Sequence, residues 1–487
     1  MSARPLIHVV GLIVATVGAA MGASAIVAIL NEGPDTVPLI ASAAIAVAVG
    51  IAAYRLTPRP NALTIRESYL IVSAAWLGAA VFGALPYWLG GVATPLDAFF
   101  ESISGFTTTG ASIFPDPESL PRGILFWRDL SQWLGGMGII VLVVAVLPFL
   151  GVGGMQLFRA EVPGPTPERL QPRIRQTASI LWRVYVGLTT AQVLLYLLGG
   201  MSLFDALTHA FGTMPTGGFS PRTASVGAYD SPFLQYVTVL FMYLAGVNFS
   251  LHYRALSGRP RSLLEDEEWR FYSLVLAAAL VIVLGAHLVD GTYDSMEVAF
   301  RASLFQVVSI GTTTGFATAD YVTWPAITQG VLLFLMFVGG MAGSTGGGMK
   351  TLRLWAALKQ GIVELRKHLH PRGVIVTRVG GSVVHEGIIL NILAFMLLFV
   401  ASFVVGALLL AALGVDLVTA AGASAAAIGN IGPGLAAVGP AGNYSWVPGL
   451  GKLILSLLML LGRLEIYTVL VLFHPEFWRR KGRATRH

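Results

Sequence analysis

Ten stretches of this chain are apolar over a length that crosses a lipid bilayer, at about 5–30, 37–54, 68–90, 123–148, 180–200, 231–253, 271–290, 323–341, 388–413 and 447–473. A hydrocarbon core about 30 Å thick needs roughly 20 apolar residues of helix to span it. In lipid every backbone polar group must be satisfied internally, which leaves helices or closed barrels. Stretches of helical length point to an all-α polytopic membrane protein. Composition matters here on one count: only 11% of residues are charged, against about a quarter in soluble chains. The chain has no cysteine, so disulfides, thiolate metal sites and cysteine nucleophiles are excluded. The apolar run ending at Leu30 exceeds a signal-peptide core of roughly 7–15 residues, so an uncleaved helix is expected there.

Charge placement orients the spans. With the N-terminus cytoplasmic and ten alternating spans, the inner connections hold Arg55, Arg59 and Arg66, then Arg159, Arg169, Arg173 and Arg175, then Arg254, Arg259 and Arg261, then Lys350 to Arg378. The basic tail RRKGRATRH also falls inside. The outer connections hold mainly acids, among them Asp35, Asp97, Asp116, Glu118, Asp205, Asp290, Asp320 and Asp416. Basic loops on one side mark the cytoplasmic face, so both termini are expected there. No basic run is interleaved with stacking aromatics, so no nucleic-acid partner is expected.

Four segments too short or too polar to cross lie on the outer side, at 95–112, 203–219, 294–317 and 416–434. Each opens near an acid and ends in a turn rich in Thr, Asn and Gly. Aligned on the turn they read TTGAS, PTGGF, TTGFA and NIGPG, with middle glycines Gly110, Gly217, Gly315 and Gly432. Span, short helix, turn and span thus recur four times, and internal repeats set architecture. Bare backbone at membrane depth survives only where it lines water or is buried in protein. Four such turns therefore meet around one aqueous path. Asp97, Asp205 and Asp416 are expected to cap the short helices, whose negative dipole ends then face the path and favour a cation. Central glycine lets successive carbonyls point inward, and carbonyl rings replace the hydration shell of a monovalent cation.

The TTG and NIG turns on this fourfold plan resemble the TrkH branch of the Trk/Ktr/HKT potassium transporters, over about 60–478. That superfamily resembles four potassium-channel subunits fused in one chain. The resemblance implies four M1-P-M2 repeats in pseudo-fourfold arrangement around one pore, plus two extra N-terminal transmembrane helices. Its boundaries here are a helix pair at 1–60, repeats at 61–150, 176–256, 265–370 and 380–478, and a basic cytoplasmic tail at 479–487. It implies a potassium selectivity filter built from Thr108, Thr109, Gly110, Thr216, Gly217, Thr313, Thr314, Gly315, Asn430, Ile431 and Gly432. In the HKT branch, serine at the first filter glycine goes with sodium preference; all four are glycine here. Pro215, Asn430 and Pro433 depart from the channel pattern.

GGMAGSTGGGMKT at 339–351 has the glycines, lysine and threonine of a phosphate-binding loop. Met349 separates the last glycine from Lys350, and an apolar run rather than a strand precedes it, so that reading fails. Each glycine in a helix interior costs about 1 kcal/mol relative to alanine, so this cluster breaks the span. The resemblance implies an intramembrane gating loop, 339–350, that includes Gly346, Gly347, Gly348 and Lys350. Lys350 also reads as a helix-end anchor. Arg463 sits inside an apolar span, where a cation costs roughly 2.5–3.5 kcal/mol, so it faces the pore or a partner. The resemblance places it below the filter near the loop.

The remaining polar residues read more plainly. Asn248 reads as helix-packing glue, His209 as a packing histidine or proton relay, and the acidic run EDEEW at 265–269 as a docking patch or a helix start. Glu465 stands two residues from Arg463, on a different helical face, and is a poor partner for it. The resemblance implies a homodimer in the bacterial inner membrane, bound to a cytoplasmic nucleotide-binding ring of the RCK (TrkA-like) kind. Potassium is the transported ion, no organic cofactor is expected, and no enzymatic activity. The alternative is a secondary carrier coupling potassium to proton or sodium, with Glu101 and Glu465 as the candidate carboxylates.

Overall fold

The computed structural model describes residues 3–58, 64–145 and 170–479; Arg59, Arg159, Arg169 and the tail beyond Arg479 lie outside them. A helix pair, Ala3–Leu30 and Thr36–Leu56, comes first. Its helices pack closely on small residues: a Cβ on Gly50 would lie 2.4 Å from the amide nitrogen of Ala15. Close approach over glycine and alanine is how helices associate in lipid, where burial alone offers no driving force.

Four units of outer helix, pore helix and inner helix follow. The first comprises Ile65–Gly83 with its extension Leu85–Leu89, then Pro95–Phe106, then Arg122–Ala145. The second comprises Leu170–Leu198, Leu203–Thr213, and Pro232–Ala245 with Phe249–Leu256. The third comprises Glu267–Asp290, Met296–Gly311, and Ala326–Val338 with Thr351–Leu369. The fourth comprises Glu386–Ala412, Leu417–Gly429, and Gly449–Arg463 with Tyr467–Phe473. Among the described residues the only strands are Arg378–Val379 and Ser382–Val383, an antiparallel pair. The chain is therefore all-α and multi-pass.

Six helices among the described residues are long and apolar enough to cross a membrane, or eight if each bent pair counts as one span. The differences from ten have physical causes. The third inner helix stops after 13 residues, at Val338, where Gly339 takes φ +74°. The second and fourth inner helices, expected as continuous spans, bend by 103° and 115°. Their breaks fall at Gly246–Asn248 and at Leu464–Ile466.

Burial is distributed as lipid demands. Val281, Leu397 and Leu194 on the outer helices are exposed, while Thr107, Thr108, Thr109, Thr312, Thr313 and Thr314 are fully buried at the centre. Asp97 and Asp205 are not the helix caps. Thr94 and Ser202 hold those positions, with hydroxyls accepting from the Asp97 and Asp205 amides. A short hydroxyl side chain reaches the exposed amides of the first turn, and an acid three residues on suits the positive dipole end. Asp416 does cap its helix, accepting from the Thr419 amide at 3.0 Å.

Candidate functional site

All four pore helices end in the same way. The amides of Thr108, Thr216, Thr313 and Asn430 bond to the carbonyl three residues back, at 2.9, 2.9, 3.0 and 3.2 Å. The following amides, on Thr109, Gly217, Thr314 and Ile431, bond five residues back, at 2.9, 2.9, 2.8 and 2.9 Å. This pair of bonds is the Schellman motif, which requires a left-handed residue at its first position. Thr108, Thr216, Thr313 and Asn430 have φ of +53°, +57°, +64° and +53°. Glycine normally fills that position; a β-branched residue there is an outlier costing on the order of 1–3 kcal/mol. Three threonines in the same strained place keep a hydroxyl where geometry alone would select glycine.

Two residues later each turn has a glycine with positive φ: Gly110 at +83°, Gly218 at +75°, Gly315 at +84° and Gly432 at +96°. In the second unit the counterpart of Gly110 is thus Gly218, not Gly217 as the alignment on PTGGF had it. Gly217 matches Thr109, Thr314 and Ile431 instead. The pair Gly218-Phe219 parallels Gly315-Phe316, which was the sequence signal for this register.

The four glycines close a ring. A Cβ on Gly110 would lie 2.0 Å from the carbonyl oxygen of Gly217, one on Gly218 2.0 Å from that of Thr314, and one on Gly315 1.9 Å from that of Ile431. One on Gly432 would lie 2.7 Å from the Thr109 oxygen. Each unit thus abuts the next, and the fourth returns to the first. There is no room for a side chain at any of the four joints. A cross-unit bond reinforces the closure, Asn430 Nδ2 donating to Thr109 Oγ1 at 3.0 Å, while its bond to the Met459 carbonyl at 2.8 Å holds it within its own unit.

A buried framework holds the outer side of the turns. Gln132 brackets the second, donating to the Gly217 carbonyl at 2.7 Å and accepting from the Phe219 amide at 3.0 Å. Tyr444 donates to the Gly432 carbonyl at 2.7 Å, and Tyr321 to that of Gly434 at 2.7 Å. Glu101 accepts from Arg128 Nε at 2.6 Å, Ser112 Oγ at 2.9 Å and the Ile113 amide at 2.8 Å. Arg128 also donates to the Ser220 carbonyl at 2.9 Å and stacks 3.6 Å from the Phe219 ring centroid. His209 is satisfied at both nitrogens, by the Asp205 carbonyl at 2.8 Å and Ser220 Oγ at 3.0 Å. Burial alone would raise the Asp205 carboxyl, but the hydrogen bond and charge of Arg222 hold it below the ordinary carboxylate range.

The break in the third inner helix, 339–350, lies against the pore-helix ends. The Gly347 amide donates to Thr313 Oγ1 at 2.6 Å and the Gly348 amide to the Gly429 carbonyl at 3.1 Å. Thr345 donates to the Met214 carbonyl at 2.9 Å. One short segment thus touches the ends of three pore helices, and the strained Thr313 hydroxyl is one of its acceptors. A Cβ on Gly347 would lie 2.1 Å from the Gly429 oxygen, so a side chain there would push the segment away. The segment is also stitched to the break in the second inner helix, where the Met341 amide donates to Gly246 and the Phe249 amide to Gly343. Asn248 caps Phe249–Leu256 through the Ser250 amide, so it is a helix start within the bend rather than packing glue.

Arg463 is only 3% exposed. Its guanidinium donates to the Thr345 carbonyl at 2.7 Å and to the Gly135 carbonyl at 3.3 Å, tying the segment to the first inner helix. Lys350, at φ +72°, folds back to donate to the Gly346 carbonyl. Glu465 pairs with Arg353, not Arg463.

The comparisons with known proteins agree with one another. The family described as TrkH, cation transport protein, matches residues 38–480. The Trk system potassium uptake protein TrkH of Halomonas elongata is 43% identical over 446 residues, 90% of this chain and 92% of that one. That of Escherichia coli K12 is 43% identical over 421 residues, 85% and 86% of the two chains. The crystal structure of the potassium transporter TrkH from Vibrio parahaemolyticus superposes with a TM-score of 0.91 at 38% identity, covering 98% of this chain and 100% of that one. The chain belongs to the TrkH family.

Within this TrkH-family chain, the turns lie against the segment 339–350 through Thr313 and Gly429, and Arg463 reaches the segment from the fourth inner helix. Two contributors escaped the sequence reading, and a third, Glu268, was noticed only as part of the run EDEEW. Gly218 was hidden by the glycine beside it. Gln132 and Glu268 act across 85 and 74 or more positions of chain, and no local pattern marks such contacts. No group of three or more His, Asp and Glu able to hold a metal occurs among the described residues.

Proposed function

We propose that this chain takes up potassium across the bacterial inner membrane through a channel-like filter formed by the four turns. The observation that carries the reading is the cyclic closure of Gly110, Gly218, Gly315 and Gly432 on the carbonyls of Gly217, Thr314, Ile431 and Thr109. Four equivalent turns at the dipole-negative ends of four buried helices offer peptide oxygens to a dehydrated cation. Thr108, Thr109, Thr216, Thr313, Thr314, Asn430 and Ile431 complete the filter. The relatives' printed names support potassium as the ion.

The segment 339–350 is the gate in this reading. With Gly346, Gly347 and Gly348 against the pore-helix ends and Arg463 binding the Thr345 carbonyl, it lies across the path a cation would take. Its glycines let it move without side-chain clashes. The remaining parts of the proposal are a homodimer with both termini cytoplasmic, regulated by an RCK-type ring acting on the basic inner face. Ion flux into proteoliposomes of the purified chain tests the proposal, comparing potassium, rubidium, sodium and lithium. Potassium and rubidium uptake well above lithium supports it, and equal uptake of potassium and lithium defeats it.

One observation favours the proton-coupled alternative enough to test it. Glu101 and Glu465 are paired with arginines, but Asp129 is fully buried with neither carboxylate oxygen hydrogen-bonded among the described residues. If transport is coupled through it, Asp129→Asn abolishes the dependence of potassium uptake on an imposed proton gradient. If wild-type uptake ignores that gradient, the coupled reading falls.

A further inference from the structure

Three of the four carboxylates in the acidic run at 265–268 are used inside the molecule, and only Glu265 is left exposed. Asp266 caps its own helix through the Trp269 amide at 2.8 Å. Glu267 pairs with Lys359 on the helix Thr351–Leu369 and accepts from the Gly380 amide of the small hairpin at 2.6 Å. Glu268 turns the other way and is 7% exposed. Its Oε1 alone accepts three bonds, from the Ala342 amide at 2.7 Å, Thr351 Oγ1 at 2.9 Å and the Leu352 amide at 3.0 Å.

Ala342 lies within the intramembrane segment, between its buried stretches 339–341 and 344–349, and Thr351 and Leu352 open the helix that leaves it. We propose that Glu268 is the clasp of the intramembrane gate, a positioning residue that binds the loop at Ala342 and the start of the helix beyond it through one oxygen and so stabilises its closed form. The proposal rests on the reading of 339–350 as a gate. The physical case has three parts. A carboxylate at the amides of a helix N-terminus is favoured by the dipole as well as by hydrogen bonding. Charge-assisted bonds are the stronger kind, and here three meet in a buried place. Glu267, one residue earlier, ties the cytoplasmic helix to the same outer helix. A pull on Thr351–Leu369 thus reaches the loop at Thr351 and is shared with Ala342 through Oε1.

The test uses potassium flux in proteoliposomes of the full chain, with thiol labelling of a Ser344→Cys variant from the cytoplasmic side. The chain has no cysteine, so labelling reports that position alone. Glu268→Ala removes all three bonds and is expected to raise basal flux and labelling rate by at least about tenfold. Glu268→Gln keeps an oxygen acceptor and stays within about threefold of wild type in both readouts. Thr351→Val removes one donor of the three at nearly constant shape and raises both by about threefold; it also serves where Glu268→Ala fails to fold. Deletion of 346–348 raises flux if the segment is a gate. Raised flux in the deletion, with unchanged flux and labelling in Glu268→Ala and Thr351→Val, overturns the clasp and leaves the gate standing. Unchanged flux in the deletion overturns the gate, and the clasp with it.

Discussion

The register of the second turn can be tested by a pair of single substitutions one residue apart. Gly218 has φ +75°, and a Cβ there would lie 2.0 Å from the Thr314 carbonyl oxygen. Contacts under 3.0 Å are essentially absent from real Cβ atoms, so Gly218→Ala forces that oxygen to move by about 1 Å or more. The neighbouring atom is backbone of the next unit, which cannot swing aside. Left-handed alanine costs roughly 1–2 kcal/mol and overpacking roughly 1–3 kcal/mol, so about 2–5 kcal/mol falls on one joint of the ring. Gly217 has no positive φ, and a Cβ there would meet the Gln132 side chain, its Cδ at 2.4 Å. That amide rotates away at the loss of a hydrogen bond or two, about 1 kcal/mol each. The assay is the ratio of potassium to sodium flux in proteoliposomes, at matched protein and with folding checked by monodispersity. Since 1.4 kcal/mol is tenfold, Gly218→Ala should lower the ratio by at least about tenfold. Gly217→Ala should lower it less. A Gly218→Ala variant as selective as wild type, beside a Gly217→Ala variant that is not, would refute the assignment.

Gly110→Ser should likewise weaken sodium exclusion, since φ is +83° and the added Cβ would lie 2.0 Å from the Gly217 oxygen; the same flux ratio measures it. Thr313→Val removes the acceptor of the Gly347 amide while keeping the β-branch, and basal potassium flux should rise several-fold. Arg463→Gln loses the charge that binds the Thr345 and Gly135 carbonyls and should raise basal flux by about tenfold, one charged hydrogen bond to the segment being worth roughly 1.5–3 kcal/mol. Tyr444→Phe removes the hydrogen bond to the Gly432 carbonyl and should cost about 1 kcal/mol of stability, seen as a lower unfolding temperature in detergent with potassium flux retained.

Most of the architecture could be read from the chain because lipid leaves few choices. Apolar length marks the spans, and repetition of an acid, a small-residue stretch and a Thr-Gly turn marks the pore helices. The break at 339–350 follows from glycine count alone. What failed did so for local reasons. Two adjacent glycines in PTGGF make a slip of one residue invisible to composition, although Gly218 stands as far from Asp205 as Gly110 does from Asp97. Asp97 and Asp205 drew attention as caps by their charge, while Thr94 and Ser202, three residues earlier, fit the Ser/Thr-x-x-acid signature. The partners of Arg463 are backbone carbonyls, and those of Glu268 are mainly amides. Backbone carries no mark in the sequence of which side chain will reach it. The sharp bend at Gly246–Asn248 lies in an apolar run and shows only in its packing against 339–350, whereas that at Leu464–Ile466 falls where Arg463 and Glu465 interrupt the span.

Crystals grown in rubidium, with anomalous diffraction measured at its absorption edge, ask the main question without relying on transport. A peak enclosed by Thr109, Gly217, Thr314 and Ile431, at oxygen distances fit for a dehydrated alkali ion, is the predicted result. Rubidium bound elsewhere in the protein, with that ring well ordered and empty of anomalous signal, would contradict it.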